Sequence, residues 1–304
     1  MNIRYKKTLR KMANRWQLYL LLIVPVAFVF VFSYMPMYGV QIAFRQYNLR
    51  LGISGSPWVG LRWFRMFFES PMFSRIMLNT IRISLYSLAA SILPPIMLAI
   101  AINEMRNRTY SKAVQLITYM PHFLSVVVIT SILHQLLSLN GLFNQVLMDF
   151  GFDRIQFLGR PNMFPHIFVW SEVWQHSGFN AIIFIAALSG INPELQESAT
   201  IDGANIWQRI RHIDIPGILP TVVILLILRS AGILSVGFER VFLLQNPMNM
   251  QTSDVIATYV FRMGLHNMEF GLASAVGLFQ SVVSFMMILI VNTISRRLTE
   301  SSLW

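Results

Sequence analysis

Six long runs of apolar residues are the feature that most restricts how this chain can fold. As helices, such runs are long enough to cross the hydrocarbon core of a bilayer, which takes roughly 20 residues. They extend from Gln17 to Phe44, Leu78 to Ile102, Ala113 to Leu137, Pro165 to Leu188, Gly217 to Val236 and Leu272 to Ile294. Because they lack the alternation of barrel strands, we predict an all-α, polytopic membrane protein with six transmembrane helices.

Composition supports this prediction and excludes some chemistry. Hydrophobic residues make up 55% of the chain and charged residues only 12%, whereas soluble domains carry about 25% charged residues. The first run is too long for the apolar region of a signal peptide, so we expect it to stay as an anchor, bent near Pro25 and Pro36. The chain has no cysteine, which excludes disulfide and thiol chemistry.

The basic residues lie mainly between the apolar runs. The net charge is +11, and this placement suits anionic lipid headgroups better than a nucleic acid, so no nucleic-acid partner is expected. Six of the 24 basic residues precede the first run, and positive charge favours the cytoplasmic side. We therefore expect both termini in the cytoplasm.

These runs divide the chain into five parts. We expect a cytoplasmic basic tail over 1–16, a first transmembrane helix over 17–44, an external, interfacial segment over 45–76, a membrane core over 77–294 and a cytoplasmic tail over 295–304.

The segment between the fourth and fifth runs, 190–216, has the pattern of two short helices joined by a glycine. Asn192 is a good N-cap, and Gly203 can adopt the positive φ that ends many helices. A second short helix is predicted from Asn205 and is expected to end before Pro216. On the topology above, this elbow lies on the cytoplasmic face. From the residues alone, a loop that merely connects two spans is an equally good interpretation.

This segment resembles the EAA motif of permease subunits of binding-protein-dependent ABC importers, E-A-A-x-x-D-G-A followed by I-x-L-P and a later proline. Here it reads from Glu197 to Ala204 and continues with Ile213, Ile215, Pro216 and Pro220, with departures at Ser198, Ile210 and Ile215. Further similarity lies in Trp58–Leu61, Asn79 and Thr80, Trp174 and Gly178, Phe238 and Glu239, Thr252 and Tyr259. Tyr38–Phe44 and Ser56–Gly60 are most similar to permeases for oligosaccharides and polysaccharide fragments.

The resemblance implies a type I ABC importer (MetI-like) permease fold in a bacterial inner membrane, importing a sugar oligomer. It implies a second permease subunit, usually a different chain, two cytoplasmic ATPase subunits and an extracellular solute-binding protein. It also implies that the elbow over 190–216 is the coupling helix that docks on the ATPase. The residues assigned to this role are Glu197, Ser198, Ala199, Asp202, Gly203, Ala204, Ile213 and Pro216.

No sequence of the form G-x-x-x-x-G-K-[ST] is present, so we expect no catalytic site and no ATP site in this chain. The ATP and Mg would be bound by the partner ATPase. The six histidines are scattered and predict no metal centre.

Polar residues inside the fourth and fifth runs need a reason, because a charged side chain at the bilayer centre costs roughly 2.5 to 3.5 kcal/mol. One interpretation is a hydrated substrate path, since sugars need hydrogen-bonding and aromatic groups. The other is contact between helices or placement at the membrane interface, which we favour for Arg229. The residues concerned are Trp170, Glu172, Trp174, Gln175, His176, Asn180 and Arg229. The helical rise puts Glu172 and Arg229 at similar depth, which suggests an ion pair between them.

Three alternatives remain open from the sequence. An ABC permease for a non-sugar solute would carry the same elbow. An ion-coupled secondary carrier generally shows inverted repeats, and no convincing repeat is present here. A membrane scaffold or signalling protein would need no ATPase at all.

Overall fold

The computed structural model describes residues 15–230, 232, 234 and 236–299, with the side chains of 294–299 excepted. Residues 1–14 and 300–304, which belong to the two predicted tails, lie outside the described residues. So do positions 231, 233 and 235, near the predicted end of the fifth span. Throughout the described part the regular elements are helices, and two isolated β-bridges are also present.

The α-helices are numbered in chain order. They are α1 Trp16–Val29, α2 Gly52–Gly55, α3 Arg62–Phe68, α4 Phe73–Ala90, α5 Leu93–Asn103, α6 Arg108–Tyr119, α7 Val126–Leu136, α8 Leu142–Asp149, α9 Phe164–Ser189, α10 Pro193–Ile201, α11 Ile206–Arg209, α12 Ile215–Ser230, α13 Phe238–Leu244, α14 Met250–Ser253, α15 Ile256–Phe261 and α16 Phe270–Thr299. Short π-helices cover Phe30–Tyr34, Ile210–Asp214 and Arg262–His266, and 3-10 helices cover Met35–Phe44, Met120–Phe123, Phe157–Gly159 and Pro161–Met163.

Among the described residues, four unbroken helices are long and apolar enough to cross a membrane: Trp16–Phe44, Phe73–Asn103, Ile206–Ser230 and Phe270–Thr293. Two bent pairs bring the count to six if each pair is one crossing. These are Arg108–Phe123 with Val126–Leu136, bent by 100°, and Pro161–Ser189 with Pro193–Ile201, bent by 72°. The predicted all-α membrane architecture is confirmed, with six crossings on that count.

The third predicted span, Ala113 to Leu137, is not one straight helix. The chain tightens to a 3-10 turn at Met120–Phe123, and Leu124 then adopts extended backbone. Ser125 begins α7, and its hydroxyl accepts a hydrogen bond from the Val128 amide. Pro121, which cannot donate to a helical carbonyl, and this new N-cap together explain the break.

The sequence predicted that the second helix of the elbow ends before Pro216, and this prediction is wrong. Helix α11 continues through the π-helical turn Ile210–Asp214 into α12, which contains Pro216. A proline ring clashes with the carbonyl four residues earlier in a regular α-helix. The wider π turn immediately before α12 relieves this conflict, so α11 and the fifth span form one continuous helix.

The first span is continuous from Trp16 to Phe44, but its hydrogen bonding changes along its length. Pro25 lies inside α1, whereas Pro36 begins the 3-10 part of the span. Only that 3-10 part packs closely on α16, and α1 has no buried residue.

Helix α9 lies at the centre of the fold and packs against α4, α5, α6 and α12. Its buried side chains, including Phe164, Phe168 and Val169, form the largest apolar cluster with Ile83 of α4 and with the segment after α12. Gly178 allows α9 and α6 to approach each other closely, because a Cβ at this position would overlap the Thr118 carbonyl oxygen of α6. This contact accounts for the glycine of the Trp174–Gly178 pattern.

The external segment 45–76 holds one amphipathic helix, α3, that is partly buried. Its Phe67 is buried against Tyr259 and Phe279, and Trp63 donates a hydrogen bond to the Arg45 carbonyl at 2.9 Å. The helix thus packs against α16.

Candidate coupling elbow and polar track

The elbow is a helix–turn–helix whose local structure follows from its sequence. The Asn192 side chain accepts a hydrogen bond from the Glu194 amide, which confirms the predicted N-cap of α10. Gly203 adopts φ +79°, as its position predicted. The amides of Gly203 and Ala204 donate to the carbonyls of Thr200 and Ala199, which is the Schellman arrangement for a helix C-terminus.

Most of the predicted coupling residues are exposed at the tip of this elbow. Ala199, Asp202, Gly203, Ala204 and Ile213 line one notch of about 350 Å³. Glu197, Ser198 and Pro216 are exposed outside that notch. The same tip carries large exposed apolar side chains: Ile201 is 86% exposed and Trp207 is 75% exposed.

Two contacts that the sequence reasoning missed fix the elbow to the membrane core. Gln196 donates a hydrogen bond of 2.7 Å to the carboxylate of Asp214, which is 1% exposed at the start of the fifth span. Arg209 forms an ion pair of 3.7 Å with Glu104, just after α5. The sequence shows that Asp214 directly precedes an apolar span, which indicates that its carboxylate needs a partner. That partner, Gln196, lies 18 residues earlier on another helix, so the sequence did not identify it.

A polar cavity of about 130 Å³ lies between α4, α9 and α12. Its lining includes Ser84 and Ser87 from one face of α4 and Ser91 just after that helix, with Glu172 of α9 and Arg229 of α12. Ser87 donates to the Glu172 carboxylate at 3.2 Å. The predicted depth match between Glu172 and Arg229 therefore holds, but the predicted ion pair does not form: the described residues contain no salt bridge between them.

A second, smaller cavity of about 60 Å³ adjoins the first and shares Ser91 and Arg229 with it. Asn180, two turns along α9 from Glu172, lines this second cavity. The two cavities together form what we call the polar track: Ser84, Ser87, Ser91, Glu172, Asn180 and Arg229. Three of the seven predicted path residues, Glu172, Asn180 and Arg229, belong to it.

Gln175 belongs to a different network, built around a buried arginine. Arg240, only 5% exposed, donates to Ser171 Oγ at 3.0 Å and to Gln175 Oε1. Gln175 in turn donates to the Leu124 carbonyl at 2.9 Å, at the break in the third span. Helical rise puts Ser171 and Gln175 about 10 to 17 Å from the first residue of α9, so Arg240 of α13 contacts α9 well within its length.

Trp170, Trp174 and His176 lie on other faces of α9 and do not line the polar track. Trp170 and Trp174 are exposed, and Trp170 donates to the Tyr86 hydroxyl at 2.8 Å. His176 Nδ1 lies 3.0 Å from His122 Nδ1. Helical spacing put the two tryptophans on a different face from Glu172, but it put His176 on the same face, and the contact with His122 on a neighbouring element decides where His176 lies.

Comparisons with known proteins agree with this architecture. Residues 91–300 match the family model described as binding-protein-dependent transport system inner membrane component. The chain is 36% identical over 292 residues to protein LplB of Bacillus subtilis, covering 96% of this chain and 92% of that protein. It is 35% identical to the polygalacturonan/rhamnogalacturonan transport system permease protein YteP of the same organism, covering 98% and 94% of the two chains.

A solved structure shares the fold over nearly the whole chain. It is described as a bacterial ABC transporter involved in the import of the acidic polysaccharide alginate, and its matched chain is 39% identical with a TM-score of 0.89. The match covers 96% of this chain and 99% of that chain. On its elbow, its helical architecture and these full-length similarities, the chain belongs to the family of binding-protein-dependent transport system inner membrane components.

Proposed function

We propose that this chain is one membrane-spanning permease subunit of an ATP-driven importer that passes a sugar oligomer across a bacterial inner membrane. A solute-binding protein delivers the sugar from outside, and a second permease subunit forms the other half of the passage. Two cytoplasmic ATPase subunits bind the ATP and Mg and hydrolyse the nucleotide, so this chain carries no catalytic residue.

The observation that carries the proposal is the elbow. Its two helices are capped and held to the core by Gln196 and Arg209, and the second helix, α11, is continuous with the fifth span. A rigid element of this kind can transmit the closure of two ATPase domains as a rigid-body movement of the spans. The exposed Ile201 and Trp207 provide apolar contacts for a partner, and Glu197 offers a charge for a basic residue.

The sugar part of the proposal draws on the relatives. YteP is named as a permease for polygalacturonan and rhamnogalacturonan, and the similar solved structure is of an alginate importer. A second structure of the alginate transporter contains a periplasmic protein bound to an alginate pentasaccharide, and its matched chain is 39% identical to this one. The serines and Asn180 of the polar track supply the hydrogen-bonding groups that sugar hydroxyls require.

The test is ATP-dependent uptake with a matched crosslinking experiment. The complete transporter is reconstituted in vesicles with its solute-binding protein, and accumulated oligosaccharides are identified by mass spectrometry. A photocrosslinker replaces Ile201 at the elbow, and a control crosslinker replaces Phe150, which is 77% exposed on the opposite predicted side. We expect the ATPase to be captured only from Ile201, and sugar uptake to require ATP.

Uptake that continues without ATP, or that collapses with an ionophore alone, would contradict the proposal. So would capture of the ATPase from position 150 and never from position 201.

A further inference from the structure

Two cations and one anion lie in or beside the upper cavity of the polar track, between α4, α9 and α12. Arg229 and Glu172 both line it, and Gly237, three residues before Arg240, lines it too. Arg240 donates a hydrogen bond to Ser171, the residue before Glu172, so its positive charge lies near that carboxylate. Glu172 therefore already has a countercharge as well as a hydrogen bond from Ser87.

Arg229 is the surplus cation. It has no hydrogen bond or ion pair with any described residue, and it is exposed towards the track. It lies 14 residues into α12, about 21 Å along the helix from Ile215, so bulk water does not fully solvate it. A cation at membrane depth is costly unless an anion or water accompanies it.

The rest of this cavity is built for hydroxyl groups. Ser84 is buried, lines the cavity, and its hydroxyl oxygen has no hydrogen-bond partner among the described residues. Ser87 of α4 and Ser91 just after that helix continue the lining towards Arg229. A buried hydroxyl without a partner costs free energy, so a ligand that bonds it is favoured.

We propose that this cavity binds the carboxylate of an acidic sugar, with the Arg229 guanidinium as the group that binds the carboxylate and the serines of α4 as partners for the sugar hydroxyls. The inference rests on the proposed function and narrows its substrate class to oligosaccharides that contain uronic acids. Arginine suits this role because its planar guanidinium can donate two parallel hydrogen bonds to one carboxylate.

The test uses the absence of cysteine from this chain. Ser91→Cys places one thiol in the cavity, and its labelling by N-ethylmaleimide is measured on this subunit within the complete transporter. Trigalacturonate is the acidic probe, its methyl ester is the neutral probe of the same sugar, and sulfate tests for a free anion. No solute-binding protein is needed for this measurement.

We expect trigalacturonate to slow labelling. The methyl ester should require about a tenfold higher concentration to give the same protection. Arg229→Met should remove that difference, while Arg229→Lys should retain most of it. Arg82→Met is the matched control, because Arg82 is an exposed arginine of α4 that does not line the cavity, and it should change nothing.

Equal protection by the acid and its ester, protection by sulfate as strong as by the acid, or no protection by the acid would overturn the inference. An equal loss in Arg82→Met would do the same. In each case ATP-driven uptake of neutral oligosaccharides in the vesicle assay would leave the proposed function standing. Absence of any ATP-driven sugar uptake would instead remove the proposed function.

Discussion

At the scale of single residues, glycine positions show how closely the helices approach each other. A Cβ at Gly178 would overlap both the carbonyl oxygen and the carbonyl carbon of Thr118, which belong to the backbone. Backbone atoms cannot rotate away, so a side chain there must push α6 from α9. At Gly277, in the last span, an added Cβ would meet nothing within 4 Å.

We therefore predict that Gly178→Ala destabilises the protein by about 1 to 3 kcal/mol, the usual cost of overpacking. The measurement is the thermal unfolding midpoint of the purified complex in detergent. Gly277→Ala is the control and should not lower the midpoint, because the added Cβ meets no atom and alanine is the better helix former. Equal midpoints for the two variants would show that α6 and α9 do not approach as described.

Asp254 is a second residue whose environment makes a specific prediction. Its side chain is fully buried, and Arg262 bonds both its oxygens, at 3.2 and 2.7 Å. Arg75 lies farther away, at 3.9 Å, and both arginines are partly exposed. Removing Arg262 would leave the buried carboxylate with a hydrogen bond from Thr258 and the more distant Arg75, whereas removing Asp254 would leave two partly solvated arginines.

We predict that Arg262→Met costs about 3 kcal/mol of stability, near the lower end for a broken buried ion pair. Asp254→Asn should cost less, and the double variant should be more stable than Arg262→Met alone. Thermal unfolding of the three variants forms a double-mutant cycle. A double variant that is as unstable as the sum of both changes would show that the pair does not interact.

At the scale of elements, local sequence chemistry explains the structure of the elbow, to which we assign the coupling role. Its turn depends on Gly203, whose φ of +79° suits glycine and whose amide donates to Thr200. Its attachment to the fifth span depends on Gln196, which donates a hydrogen bond to one carboxylate oxygen of the buried Asp214. The other carboxylate oxygen of Asp214 has no hydrogen-bond partner among the described residues.

We predict that Gly203→Pro, which forbids this φ and removes the amide donor, uncouples ATP hydrolysis from sugar uptake without preventing membrane insertion. Charge reversal at Glu197 should do the same. The measurement is the ratio of sugar accumulated to ATP hydrolysed in vesicles. Gly151→Pro is the control, since Gly151 has a similar φ of +81° in the predicted outer loop. Wild-type ratios in both elbow variants would contradict the coupling role.

A second prediction at this scale concerns the attachment of the elbow. Gln196→Leu removes the hydrogen bond to Asp214 and leaves the buried carboxylate without it, so α10 should loosen from the fifth span. We expect the same ratio of uptake to hydrolysis to fall, although the tip residues are intact. Gln196→Leu combined with Asp214→Leu should recover part of the loss, because no buried charge then remains.

At the scale of the whole molecule, an even number of crossings, as in the count of six, predicts that both termini lie on the same side of the membrane. The elbow and the α8 region should then face opposite sides. Since the chain has no cysteine, single replacements at Trp207 and Phe150, both highly exposed, can report the two sides separately.

We predict that a membrane-impermeant maleimide labels Trp207→Cys only after the cells are opened, and Phe150→Cys in intact cells with a permeable outer layer. The reason is the excess of basic residues on the predicted inner side. The reverse pattern would invert the topology and with it the role of the elbow.

The sequence by itself determined the helical class, the approximate spans and the elbow. These depend on local properties: the length of apolar runs, the capping by Asn192, and the freedom of Gly203 to adopt positive φ. Such properties act within a few residues along the chain. They can therefore be recognised without knowledge of any distant contact.

Only the tertiary structure decided which polar residues meet. Arg240 reaches Gln175 across 65 positions, and Asp254 is paired by arginines on two separate elements. The third span breaks at Leu124, and the packing around α9 decides that the face with Trp170 and Trp174 is exposed. Burial and pairing depend on neighbours distant in sequence, so helical periodicity could place these residues at a depth but could not choose their partners.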